Sequence, residues 1–190
     1  MEGSWSGPGG GGYREYYLVK MLKQDLNGQS FLLFGTGNTP TFERLLTEST
    51  NVTGCDICRD VVEYKKKKCG GGTFFTPDSL PTDRKYDGIV AVEVFEHFAE
   101  PRQTVSKLVS LLTGRAGVIC GTTNFYAGTR IEDDNNPGYM SHKGHIAYWC
   151  ISSIQHAARE HGLSVAAFEM IRPGSVLPDE RFGQLWPNKR

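Results

Sequence analysis

Short apolar runs alternate with helix-patterned segments along most of this chain, and that alternation restricts its fold more than any other feature. "SFLLF" (30–34), "NVTGCDI" (51–57), "GTFFT" (72–76), "YDGIVAVEVFEH" (86–97), "AGVICGTTN" (116–124) and "LSVAAFEMI" (163–171) read as strands. Between or before them, "YREYYLVKMLKQDL" (13–26), "TPTFERLLTES" (39–49), "CRDVVEYKKKKC" (58–69), "EPRQTVSKLVSLL" (100–112) and "CISSIQHAAREHG" (150–162) carry apolar residues at helical spacing or helix-end signals. Strands alternating with helices predict an α/β fold: a doubly wound, mostly parallel sheet with helices on both faces and right-handed crossovers. The Pro-rich tail, 172–190, leaves two alternatives, a last antiparallel strand around "SVLP" or a segment wrapping the surface.

At 190 residues the chain is sized for one domain with its own core. The reading is a flexible Gly-rich arm over 1–12 and a single domain over 13–190. Its 21 basic and 21 acidic residues cancel, so bulk charge gives no pull toward DNA or an anionic membrane. No apolar run approaches ~18 residues, which predicts no membrane span. Five widely spaced cysteines do not form a secreted disulfide framework, which predicts a reducing, cytoplasmic compartment. Cys55-Asp-Ile-Cys58 lacks a second pair at zinc-ribbon spacing. Lys65–Lys68 at a helix end reads as a solvated face, with contact to an RNA backbone as the alternative.

"FGTGNT" closes the first strand. In open α/β sheets ligands sit beyond the carboxyl ends of the strands, and glycine there lets backbone approach a ligand closely. Asp56 ends the second strand, 21 residues after Gly35, close to the ~20 at which a ribose-binding carboxylate is expected. A tight turn with a surface aspartate would read the same way.

The run "YDGIVAVEVFEHFAEP", with "LLTGRAGVICGTTN" and "HIAYWCISSIQHAAREHGLSV", resembles the class I (Rossmann-like) S-adenosylmethionine-dependent methyltransferases, in particular small members with an "EVLEH" run, over roughly residues 31–170. The resemblance implies that Gly35, Thr36 and Gly37 face the methionine end of S-adenosylmethionine. It places Asp56 on the ribose, Ile57 beside the adenine, Asp78, Ser79 and Leu80 along the adenine edge, and Glu93 between cofactor and acceptor. The chain departs from the family pattern twice: Leu33 stands where an acid is usual, and Thr39 stands at the third glycine position.

"Glu93-Val-Phe-Glu96-His97", followed later by His142 and His145, is similar to the Glu-x-x-Glu-His run and later His of metal-dependent small-RNA 2′-O-methyltransferases. That likeness implies a divalent cation held by Glu93, Glu96, His97 and His145, since two carboxylates and two imidazoles suit a mixed O/N site. Without a cation, Glu93 lines the pocket and His97 or His145 is the candidate general base. The reaction implied is O-methylation of an unknown acceptor, a small molecule favoured over RNA. The alternatives are a metal-dependent RNA 2′-O-methyltransferase and a cofactor-binding interaction module without catalysis.

Overall fold

The computed structural model describes residues 11–25, 27–48, 50–69, 73–126, 139, 141–170 and 180–187. Helix α1 spans Gly11–Asp25, followed by β1 (Ser30–Phe34), α2 (Thr41–Thr47), β2 (Asn51–Cys55) and α3 (Arg59–Cys69). Then come β3 (Phe74–Phe75), β4 (Gly88–Val92), α4 (Pro101–Ser110), β5 (Val118–Thr122), α5 (Ile151–Glu160), β6 (Leu163–Met170) and β7 (Glu180–Pro187). The strands form one seven-stranded sheet in the order β3-β2-β1-β4-β5-β7-β6. β1 to β5 are mutually parallel, and β7 runs antiparallel between β5 and β6. The predicted doubly wound sheet is present.

The tail differs from expectation. Its antiparallel strand is at 180–187, C-terminal to "SVLP", and 171–179 lie outside the described residues. The "SVLP" segment of the expectation lies among those residues. β3 is two residues long, not five, because it is the sheet's edge and Pro77 follows at once.

Alternation in β1 divides the core. Phe31 and Leu33 pack with Leu18, Val19 and Leu22 of α1 and with Phe42, Leu45 and Val62 of α2 and α3. Leu32 and Phe34 face the other way, toward Val105, Leu108, Ile154 and Ala158 of α4 and α5. All of these are buried, as a strand covered on both faces requires. Among the described residues no helix is long and apolar enough to cross a membrane.

Asp87 fastens the amino end of the sheet, away from the ligand side. Its Oδ2 accepts the N–H groups of Gln29 and Ser30, at 2.8 and 3.0 Å, and its Oδ1 accepts the Thr113 hydroxyl at 2.8 Å. Burial pushes its pKa up, but these donors outweigh burial and hold the carboxyl below the usual range. Asp87→Asn is expected to cost about 1–2 kcal/mol at neutral pH, an amount that allows for partial solvent screening. A carboxyl with a depressed folded pKa stabilises above its ordinary pKa, and that stability is lost as pH falls through the folded value. The gap in melting temperature between variant and wild type should therefore close in acid.

Candidate active site

The glycine turn follows from two chain reversals at the end of β1. Gly35 and Gly37 have φ of +81° and +53°, a region open to glycine. A Cβ on Gly35 would also lie 2.3 Å from Val94 Cγ2, so this turn needs glycine on both counts. The N–H groups of Gly35 and Thr36 both donate to the Cys55 carbonyl, at 2.8 and 3.2 Å. Asp56 is buried and faces the turn: Oδ2 accepts the Gly37 N–H and Oδ1 the Cys58 N–H, each at 2.8 Å. Each oxygen keeps a further lone pair for a ligand. From the other side the fully buried Lys65 of α3 donates to the Thr39 carbonyl and to both Glu43 oxygens, at 3.0 and 2.9 Å for the latter.

The remaining cofactor candidates divide. Ile57 is 86 % exposed beside Asp56, an apolar side chain with nothing over it. Asp78 and Ser79 are exposed on a 3₁₀ turn just beyond β3, though Ser79 Oγ already accepts the Thr76 N–H at 3.0 Å. Leu80 turns into the core against α4, so its side chain does not border an open slot.

A second group gathers beyond β4. Glu93 takes a left-handed φ of +52°, a strained conformation for a non-glycine residue. Its Oε1 accepts the Thr122 hydroxyl at 2.7 Å and pairs with Arg14 of α1 at 3.3 Å. A 3₁₀ turn, Phe95–His97, comes next. Glu96 is fully buried; its Oε2 accepts the Thr123 hydroxyl at 3.2 Å, and its Oε1 has no hydrogen-bond partner. Burial, with the nearby Glu93 charge, pushes the Glu96 carboxyl up to about 8.

His97 and His145 are held alike. His97 Nδ1 lies 2.7 Å from the Gly144 carbonyl, and His145 Nδ1 lies 2.8 Å from the Tyr139 carbonyl. A carbonyl accepts only, so each Nδ1 carries the proton and each Nε2 is left with its lone pair. His145 Nε2 sits 4.0 Å from Glu96 Oε1. Ligand atoms of Glu96, His97 and His145 lie within 4.8 Å of one another. Burial, followed by the neighbouring His142 and His97, lowers the His145 pKa and keeps the ring neutral near pH 7. The structure thus brings together three of the four expected ligands. Glu93 lies beside Glu96, outside that group of three, and is engaged by Thr122 and Arg14.

The match to a family model described as "Methyltransferase domain" runs over residues 15–167. The chain is a class I S-adenosylmethionine-dependent methyltransferase. Solved structures carry the same fold at low identity. One is the magnesium protoporphyrin IX methyltransferase of Synechocystis with bound S-adenosylhomocysteine, at 20 % identity and TM-score 0.62, covering 93 % of this chain and 83 % of that one. A second is a TehB-like S-adenosylmethionine-dependent methyltransferase of Corynebacterium glutamicum, at 17 % and TM-score 0.64, covering 92 % and 87 %. A third is the methyltransferase domain of bacterial CtHen1, at 16 % and TM-score 0.62, covering 93 % and 100 %. No curated protein matches the sequence.

Sequence pattern does not point to Arg14, Thr122 or Thr123, and it points to Lys65 only as a member of the four-lysine run. "CGTTN" after the fifth strand was the one local signal for the threonines. Arg14 and Lys65 reach the site only through long-range packing of α1 and α3.

The methyltransferase keeps a proton on Glu96 that its unfolded chain would release above its ordinary pKa of 4.5. Stability of the metal-free enzyme should therefore fall as pH rises from there toward 8. Glu96→Gln should flatten that decline and melt above wild type at pH 8, measured by thermal denaturation in chelator.

Proposed function

We propose that this methyltransferase O-methylates a small acceptor, with the cofactor seated on Gly35–Thr36–Gly37 and Asp56 and the acceptor hydroxyl presented to His145. The observation that carries this reading is the pinned, neutral His145. Its Nδ1–H is committed to the Tyr139 carbonyl, so Nε2 is the only nitrogen able to take a proton. The hydroxyl oxygen bonds to the methyl carbon as the carbon–sulfur bond breaks, S-adenosylhomocysteine leaves, and the hydroxyl proton passes to His145 Nε2. The donor is already activated, so the protein mainly aligns oxygen, carbon and sulfur and excludes water. Glu93, anchored to Thr122 beyond β4, borders the space between donor and acceptor.

A second reading is favoured by the orphan oxygen of Glu96. A buried carboxylate oxygen without a donor, facing two imidazoles whose Nε2 lone pairs are uncommitted, fits a divalent cation with O/N ligands. Glu96, His97 and His145 would hold it, and Glu93 would join only on leaving Arg14. Such a cation would supply acidification of the acceptor hydroxyl. The similarity of the Glu93–His97 run to that of the metal-dependent small-RNA 2′-O-methyltransferases supports keeping RNA in the acceptor panel.

Asp56→Ala should weaken S-adenosylmethionine binding ~10–100-fold, since it removes charge-assisted bonds to the ribose. Calorimetry checks this, and unchanged affinity would defeat the assignment. His145→Ala should abolish methyl transfer to a hydroxyl panel while leaving cofactor affinity within about threefold. Turnover lost in chelator and restored by Mg²⁺ or Mn²⁺ selects the second reading; turnover indifferent to chelator selects the first.

A further inference from the structure

Helix α1 runs antiparallel to β4. Leu22 lies against Gly88 at the start of that strand, and Arg14 reaches Glu93 just past its end. The first turns of α1 therefore stand over the carboxyl ends of the strands, where the glycine turn lies. Glu15 belongs to this part of the helix and sits one turn before Leu18 and Val19, on the face packed toward the sheet. It is only 5 % exposed, and its Oε2 has no hydrogen-bond partner.

The charges around Glu15 locate it further. Those that act on its carboxyl are Arg14 on its own helix, Glu93 beyond β4, and Lys65 of α3, whose ammonium holds the Thr39 carbonyl. The glycine turn lies between the last two: Gly35 packs on Val94, next to Glu93, and Thr39 is four residues on. Thr36, within that turn, is also buried with a partnerless hydroxyl. Burial pushes the Glu15 carboxyl up to about 7, with its own backbone N–H and Arg14 opposing and Glu93 adding to the rise.

An unpaired buried carboxylate is costly unless a cation comes to it. At the methionyl end of S-adenosylmethionine the α-ammonium is the one cationic group with protons to donate, because the sulfonium has none. We propose that Glu15, helped by the Thr36 hydroxyl, receives the α-ammonium of the cofactor, so that α1 supplies the acid that β1, with Leu33, does not. This rests on the reading of Gly35–Gly37 and Asp56 as the cofactor cradle.

The test compares two ligands on the full chain by calorimetry. S-adenosylhomocysteine carries the amino-acid end; 5′-methylthioadenosine has the same nucleoside and no amino-acid end. Glu15→Gln should weaken S-adenosylhomocysteine ~10–100-fold and leave 5′-methylthioadenosine unchanged, as expected for one lost charge-assisted bond. Asp56→Ala should weaken both. The ligand-free Glu15→Gln protein should melt no lower than wild type, and S-adenosylhomocysteine should raise its melting temperature less. Equal loss of both ligands, or loss of neither, would overturn the assignment. So would a lowered melting temperature with S-adenosylhomocysteine affinity intact, which makes Glu15 structural. Wild type binding neither ligand would remove the cradle itself, and the proposal with it.

Discussion

The Cys55 carbonyl and the Asp56 carboxylate together accept the N–H groups of Gly35, Thr36, Gly37 and Cys58. The rest of the site depends on these bonds. They join the ends of β1 and β2 into one surface and fix a turn whose backbone would otherwise be free to vary, since glycine carries the largest conformational entropy. Dinucleotide sites stiffen such a turn partly through a third glycine packed close to the sheet. Here Thr39 stands in that place, and its carbonyl is held by a buried lysine paired with Glu43. Lys65 belongs to the four-lysine run, so the reading of that run as a solvated face fails for this one member: it is fully buried, while Lys67 and Lys68 are exposed.

How far the sequence disclosed this arrangement depends on the range of the physics involved. The inner strands were legible because burial on both faces leaves continuous apolar runs. Gly35, Asp56 and the Glu96-His97 pair were legible because strand ends and short motifs are local. β7 was obscured by its reversed direction, which breaks the strand–helix rhythm. The inward turn of Leu80 was hidden for a related reason: exposure on a 3₁₀ turn differs residue by residue, and sequence pattern averages over it. Glu93 was expected among the metal ligands from the likeness of its run to that of the metal-dependent small-RNA 2′-O-methyltransferases. Its engagement by Arg14, an ion pair spanning 79 positions, is one that no local pattern encodes.

Among the described residues, buried acids with one oxygen unserved mark the carboxyl end of the sheet and not its amino end. Asp87 at the amino end has its oxygens fully engaged, and its proton affinity drops. Glu15 and Glu96 each have one oxygen unserved, and theirs rises. A fold optimised for stability alone would pair or replace such groups, so local rules broken together at one edge are the mark of a site shaped by ligands.

The strap that carries His145 is sewn down on both sides of residues 127–138. Before it, the Tyr126 N–H meets the Trp149 carbonyl; after it, the N–H groups of Ile146 and Ala147 both meet the Glu96 carbonyl, and the Trp149 indole donates to Phe95. His145 is thereby tied to the turn after β4 as well as to the Tyr139 carbonyl, so a shift of that turn would carry the imidazole with it.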